Sequence, residues 1–322
     1  MKDRYQIRRN DNNLYYFTRT NKKDAKEILE RVQKVTGIEH YIFDTKKLLR
    51  HLDDLTTDNA QNEYYITDLI EIFKNEGYAV DAYAAGDGSI IEAANNRAEL
   101  AGCAKLLRAR INHGHMLEGV TIIDPDNTYI ERGARIGRDT VIYPGTIIRK
   151  GCVIGENNTI YSSRIENSEI GNGNLIDNCV IKSARIGNEN EIGPYVHLRP
   201  DADVKNGTRI GNFVEIKNSS VGDNTNVSHL TYVGDGDIGK NGNIGCGVVF
   251  VNYDGQKKFR TVVGDNCFIG CNTNLIAPIS IGDNVYVAAG STLTDDVEEG
   301  SFAIARSRQT VKKEKKTRFK KS

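Results

Sequence analysis

From about residue 118 onward, branched apolar residues recur at every sixth position. Ile130, Ile136, Ile142, Ile148, Ile154 and Ile160 form one unbroken series. After a slip, Ile186, Ile192, Leu198, Val204, Ile210 and Ile216 form a second, and Val263, Ile269, Leu275, Ile281, Val287 and Leu293 a third. A short, strict period of this kind predicts a solenoid, in which each unit buries its apolar face only against its neighbours. Each hexad supplies one short strand and a turn, three hexads close a coil, and roughly ten coils stack. Gly, Asn and Asp cluster just after the branched residue, in IGRD, IGEN, IGNE, VGDN, IGKN and IGDN. These residue types tolerate the positive φ that a sharp corner requires. A second inward position is predicted four residues after the branched one, taking small residues such as Cys152, Cys267 and Ala289.

Residues before the solenoid follow a different period. KKDAKEILERVQKV (22–35), DTKKLLRHLDDL (44–55), EYYITDLIEIFKNEG (63–77) and NNRAELAGCAKLLRARI (95–111) place apolar residues at three- and four-residue intervals, which predicts helices. Short β-like pieces, 41-YIF-43 and 79-AVDAYA-84, lie between them. The predicted fold class is mainly β, a hexapeptide solenoid preceded by an α/β segment. Such solenoids resemble the left-handed parallel β-helix, an exception to the right-handed crossover preference. The division follows as 1–117 (α/β segment with linker helix), 118–305 (β-helix) and 306–322 (basic tail).

Composition narrows the classes. The 322 residues carry 43 basic and 43 acidic side chains, so no nucleic-acid partner is indicated. The tail 312-KKEKKTRFKKS-322 is locally basic, either a solvated end or an anion contact. Six scattered cysteines show no CxxC or Cys/His metal spacing, and the N-terminus has no signal-peptide pattern. No apolar run approaches the ~18 residues needed to span a bilayer. The expectation is a cytoplasmic chain without a membrane partner, its cysteines reduced and buried as small apolar residues.

In a rigid solenoid the inward positions are committed to packing, so function falls on interruptions and outward side chains. The period lapses between Phe250 and Val263, leaving 250-FVNYDGQKKFRTVVG-264. That segment is either a solvated insertion or, with Lys257, Lys258 and Arg260 beside Tyr253, a site for phosphate or carboxylate. Arg199 and Lys217 each follow a branched residue and lie 18 positions apart, so they stack on adjacent coils. His229 falls on the next coil but on a different wall. It reads either as a surface histidine or as a general base, since imidazole titrates closest to neutral pH. Tyr232 taken alone reads as packing. One chain does not join these walls into a pocket, whereas a symmetric trimer brings different walls of neighbouring copies together.

The run HLTYVGDGDIGKNGNIGCGVVFVNYDGQKKFRTVVGDNCFIGCNTNLIAP (229–278) resembles the acetyltransferase domain of a bacterial family. That family is the bifunctional N-acetylglucosamine-1-phosphate uridyltransferase/glucosamine-1-phosphate acetyltransferase. The resemblance extends over 63–310 and includes DNAQNEYYITD (58–68), ANNR (94–97), HLRP (197–200), AAGS and AIARSRQ. It implies a homotrimeric left-handed β-helix that acetylates glucosamine 1-phosphate with acetyl-CoA. The product, N-acetylglucosamine 1-phosphate, would serve UDP-N-acetylglucosamine and cell-wall precursor synthesis, and Mg²⁺ is not expected to be needed for acetyl transfer. His229 matches the family's general base. Arg199, Lys217 and Lys258 match the basic residues at the sugar phosphate, and Tyr232 and Asn243 match substrate contacts. Asn252, Tyr253, Cys246, Cys271, Ala289 and Arg306 match acetyl and coenzyme A contacts. Cys246 stands where many relatives carry Ala, and Cys271 where some carry Ser.

The N-terminal departures are larger. The family's glycine-rich L-x-A-G-G-x-G-T-R-M loop, with an acidic magnesium ligand, has no counterpart here, so the α/β segment looks truncated. Asn95 matches the second metal contact without its partner. Asn21 stands at an expected glutamate and Val35 at an expected asparagine. No independent uridyltransferase activity is expected. Three other readings remain: a different hexapeptide amino-sugar acyltransferase, a scaffold docking a companion nucleotidyltransferase, and a zinc hydratase. The last needs three histidines, and the solenoid holds only His197 and His229.

Overall fold

Every branched residue of the three predicted series is buried in the computed structural model, from Ile130 at 4% exposure to Leu293 at 6%. The structure describes residues 5–9, 15–19, 43–60, 62–80, 94 and 96–312, the first two segments as backbone alone. The chain divides into two compact units, 1–106 and 107–322.

The second unit is a parallel solenoid with three walls. Strands two to four residues long are laid down in strict rotation. The first wall has eleven strands, from Thr121–Ile122 to Phe302–Ala303. The second has ten, from Tyr129–Ile130 to Thr292–Leu293, and the third nine, from Arg135–Ile136 to Ile279–Ile281, among the described residues. Each strand pairs in parallel with the strand one coil earlier, as in Ile142 with Ile160 and Ile210 with Val227. One continuous core of Ile, Val and Leu results. Full burial of each such side chain contributes about 1.5–3 kcal/mol.

The corners carry the predicted residue types, except that Glu189 takes the position in IGNE. Asp139, Asn157, Glu189, Asn224, Asn241 and Asn284 all have φ between 53° and 59°. The slip in the sequence is a change of step and leaves the core line unbroken. Ile160, Ile165, Ile170, Ile176, Ile181 and Ile186 continue it at five- and six-residue spacing, all of them buried. The shortened corners turn on Ser162, Asn167, Asn178 and Ser183, with φ from 37° to 48°. Buried side-chain amides tie these coils together, Asn174 Nδ2 donating to Asn158 Oδ1 at 2.9 Å and Asn190 Nδ2 to Asn174 Oδ1 at 2.9 Å.

Two expectations about packing are corrected. Cys152 and Cys267 do point inward, but Ala289 is exposed. The register set by Val287 puts Ser291 at the inward position and leaves Ala289 two residues past the branched one, at a corner. Nor are all the cysteines core residues. Cys152, Cys179 and Cys267 are buried, Cys103 and Cys246 half-buried, and Cys271 exposed.

A helix, Arg97–Leu117, runs six residues beyond its predicted end. Its last turns belong with the solenoid: Asn112 is fully buried, and its Nδ2 donates to Pro125 O at 2.9 Å and Thr128 O at 3.0 Å. Ile111 and Met116 pack on the core. In the first unit, α1 (Thr45–His51) is capped by Asp44, whose Oδ1 accepts from Lys46 N at 3.0 Å and Lys47 N at 3.1 Å. Helix α2 (Asp68–Asn75) buries Leu69 and Phe73. An antiparallel pair, Tyr5–Arg9 with Tyr15–Arg19, was not foreseen. The predicted helix 22–35, most of the two β-like pieces, and Asn21, Val35 and Asn95 lie outside the described residues, as does the tail from 313.

Candidate active site

The predicted site residues fall into two groups on two edges of the second wall. The first group stands at the corner where the chain leaves the first wall. Val227, Ile244, Ile269 and Val287 are paired in register on successive coils, and His229, Cys246, Cys271 and Ala289 each follow two residues later. Backbone bonds join this column from coil to coil. Gly247 N donates to His229 O at 3.2 Å, Asn272 N to Cys246 O at 2.8 Å, and Gly290 N to Cys271 O at 2.8 Å. Arg306 lies at the foot of the column, its Cδ 3.7 Å from the point a Cβ on Gly290 would occupy. Asn243 sits on the outer face of the first wall, paired with Asn226 and Phe268. The coils approach closely here. A Cβ on Gly245 would stand 2.6 Å from Cys271 N, so only glycine fits.

Beside this column runs an unusual one. Tyr195, Phe213 and Leu230 occupy the next corner position on three successive coils, all with positive φ (61°, 58° and 49°). Bulky side chains rarely adopt that conformation. All three are exposed by 57–60%, and the Tyr195 and Phe213 rings stack at 5.4 Å.

The second group stands at the far edge of the second wall. Arg199 and Lys217 occupy adjacent coils, with Arg199 N donating to Ile216 O at 2.8 Å. Arg199 Nη1 donates to Glu215 Oε1 at 2.7 Å, which holds the guanidinium above its ordinary pKa. Tyr232 pairs with Glu215 and folds back so that its ring and hydroxyl cover Gly234, where a Cβ would displace the ring. Lys217 and Lys258 perturb each other at this edge. Lys258 pushes Lys217 below the usual lysine pKa, helped by partial burial, and Lys217 raises Lys258 in turn.

Asp235, which the sequence did not single out, underlies this cluster. It is 7% exposed, and its two oxygens accept from the Asn218 and Asn252 side-chain amides. Burial alone would raise its pKa. The two amide donors, with Lys217 and Lys258 nearby, outweigh burial and leave it below the usual carboxylate value. It takes a positive-φ corner that Asp201 and Asn218 hold on the two preceding coils, so in the sequence it reads as an ordinary corner residue. Asn252 is therefore a buried support, whereas Tyr253 is exposed and its hydroxyl donates to Gly255 O at 2.6 Å.

The interruption at 252–260 is an ordered turn. Tyr253 bridges Lys258 in antiparallel fashion, Phe259 N donates to Asn252 O at 2.8 Å, and Asp254 Oδ1 accepts from Lys257 N at 2.6 Å. Arg260, one of the three basic residues of this segment, is engaged by the fold. Its Nη2 donates to Asp237 Oδ1 at 2.6 Å, its Nε to the other carboxylate oxygen, and its Nη1 to Asn218 O at 3.2 Å, so it anchors the turn to the third wall.

Two shallow grooves lie elsewhere. One, of about 430 Å³, is lined by Arg185, Asp203 and Lys205 on the third wall, and another, of about 490 Å³, by Arg110, His115 and Arg132 beside the long helix. Among the described residues, no cluster of His, Cys, Asp or Glu is built to hold a metal ion. Nor is any helix there long and apolar enough to cross a membrane.

Comparison with known proteins places the fold. The bacterial transferase hexapeptide (six repeats) model matches residues 133–163, 183–218 and 260–295. The bifunctional protein GlmU of Clostridium botulinum (strain 657 / Type Ba4) is 49% identical over 292 residues, which is 90% of this chain and 63% of that protein. GlmU of Acetivibrio thermocellus is 49% identical over 298 residues, 91% of this chain and 63% of that protein. The chain thus spans less than two thirds of the length of these relatives. A solved UDP-N-acetylglucosamine acyltransferase of Francisella novicida aligns at 20% identity over 57% of this chain and 67% of that one, with a TM-score of 0.40.

Proposed function

We propose that this homologue of the GlmU proteins is a coenzyme A-dependent N-acetyltransferase, with glucosamine 1-phosphate as its acceptor and acetyl-CoA as its donor. The observation that carries the reading is the column His229, Cys246, Cys271, Ala289, with Arg306 at its foot. A thioester laid along it would meet an exposed imidazole at one end and a guanidinium suited to a coenzyme phosphate at the other.

The reaction follows from the groups present. His229 takes a proton from the sugar ammonium's neutral form as the amine nitrogen attacks the thioester carbonyl. The N–C bond forms, the C–S bond breaks, and the coenzyme leaves as a thiolate that recovers the proton from His229. Arg199, Lys217 and Lys258 hold the sugar phosphate, which relieves the repulsion between the two lysines. Glu215 and Asp235 position those cations, and Tyr232 lies over them as a wall of the acceptor site. Asn243 contacts the acceptor from the first wall, while Asn252 and Tyr253 shape the turn that carries Lys258.

The two groups belong to opposite edges of one wall: on a single coil Asn212, which pairs with His229, and Lys217 are five residues apart, up to roughly 16 Å along the chain. In the acceptor, amine and phosphate sit on neighbouring ring carbons. The site is therefore completed between copies of the chain, with His229 of one copy facing Arg199 and Lys217 of the next. The exposed column Tyr195, Phe213 and Leu230 beside His229 is an apolar seam suited to that contact, and a three-fold ring closes it.

Thiol release on mixing the chain with acetyl-CoA and an amino sugar tests this. Release is expected with glucosamine 1-phosphate, matched mole for mole by N-acetylated product, and at least ~10-fold less with glucosamine, which offers the cations no phosphate. Equal rates with both acceptors, or none with either, would refute the assignment.

A further inference from the structure

Two thiols stand next to each other in the column assigned to the coenzyme. Cys246 and Cys271 hold the same place on successive coils, each two residues past a paired branched residue, Ile244 with Ile269. The bond from Asn272 N to Cys246 O, at 2.8 Å, ties the two corners together. Gly245 lets them approach to backbone contact. Parallel neighbours of this kind are spaced about 4.8 Å apart at Cα, inside the ~4.4–6.8 Å range that a disulfide spans. Both side chains leave the same corner in the same register. Cys271 is exposed and Cys246 half-buried, and both are reduced in this structure.

The other solenoid cysteines differ. Cys152, Cys179 and Cys267 are buried, and burial pushes their thiols up, that of Cys179 to about 11. Thiolate, the reactive form, is scarce at such positions. Accessible, paired thiols occur within the solenoid at this corner alone among the described residues, and this corner is where the proposed reaction releases coenzyme A.

We infer that Cys246 and Cys271 form a thiol–disulfide switch that closes the donor site when the disulfide of coenzyme A, or another low-molecular-weight disulfide, accumulates. This rests on the donor-site reading above. The chemistry is two exchanges. The Cys271 thiolate attacks one sulfur of coenzyme A disulfide. The Cys271–coenzyme A bond forms, the original S–S bond breaks, and one coenzyme A thiolate leaves and takes up the proton Cys271 lost. The Cys246 thiolate then attacks the Cys271 sulfur, forming the Cys246–Cys271 bond and expelling the second coenzyme A thiolate. Two cysteine thiols are oxidised and one disulfide is reduced to two thiols. The crosslink bridges the two coils across the path of the pantetheine arm and so blocks it.

The test treats the reduced full chain with coenzyme A disulfide and follows it by mass spectrometry of non-reduced peptides and by acetyl transfer. The expected result is a 246–271 crosslink, assigned against Cys267 by fragmentation. It should bring a tenfold or greater loss of transfer that dithiothreitol reverses. Cys246→Ser is expected to stop at the Cys271–coenzyme A disulfide, and Cys103→Ser to crosslink like the unaltered chain. Absence of the crosslink, or a crosslinked chain as active as the reduced one, would overturn the switch. A chain that crosslinks but shows no acetyl transfer even when reduced would overturn the donor-site reading and the regulation drawn from it, while leaving the exchange chemistry standing.

Discussion

His229→Ala is expected to lower acetyl transfer by about 10²–10⁴-fold, the usual contribution of a positioned general base. The loss should fall on kcat, with the KM values for both substrates nearly unchanged, because the imidazole acts on a proton and anchors neither substrate. The side chain is exposed at a corner, and the residue's carbonyl accepts from Thr231 Oγ1 at 2.8 Å and from Gly247 N at 3.2 Å. Stability should therefore change by less than about 0.5 kcal/mol, as for other surface substitutions. Steady-state kinetics with a thermal melt of the same preparation checks both halves. A tenfold drop in stability-corrected activity, or a loss confined to KM, would mean that His229 only shapes the site.

Lys217→Ala should give the next largest effect, and a differently distributed one. A hydrogen bond to a charged group contributes about 1.5–3 kcal/mol, so kcat/KM for glucosamine 1-phosphate should fall about 10–150-fold. Most of that should appear as a raised KM. Removing Lys217 also leaves Lys258 without the neighbour that perturbs it. With glucosamine as acceptor the substitution should make little difference, because there is no phosphate to lose. Comparing the two acceptors on the two chains isolates the phosphate contact. An equal loss with both acceptors would assign Lys217 to structure instead.

How far the sequence exposes this arrangement depends on what each residue does. The solenoid was legible because its core is one-dimensional: the same buried position recurs in every coil, from Ile130 to Leu293. Corners were legible where Asn or Asp takes the positive φ, and illegible where Tyr195, Phe213 and Leu230 do so, since nothing local favours them there. The five-residue steps looked like a slip because a corner can lose a residue while the core line continues. Ala289 was misplaced by reading a small residue as an inward one, when register from Val287 decides. Arg260 and Asp235 show the same limit at the site. Both act through partners 17 to 42 residues away, Asp235 with Asn218 and Asn252, Arg260 with Asp237 and Asn218, and only the stacking of coils brings those together.

The proposed site is completed by two copies, and mixing defective chains tests that most directly. Chains carrying His229→Ala and Lys217→Ala would be co-expressed with different tags, and oligomers containing both isolated. In a three-fold ring with two of one kind and one of the other, one site in about three combines an intact base with an intact phosphate cradle. The expected result is recovery to roughly a third of unaltered activity per ring, from two variants that are each defective alone. Mixed oligomers no more active than the average of their parents would place the whole site within one chain and contradict the account.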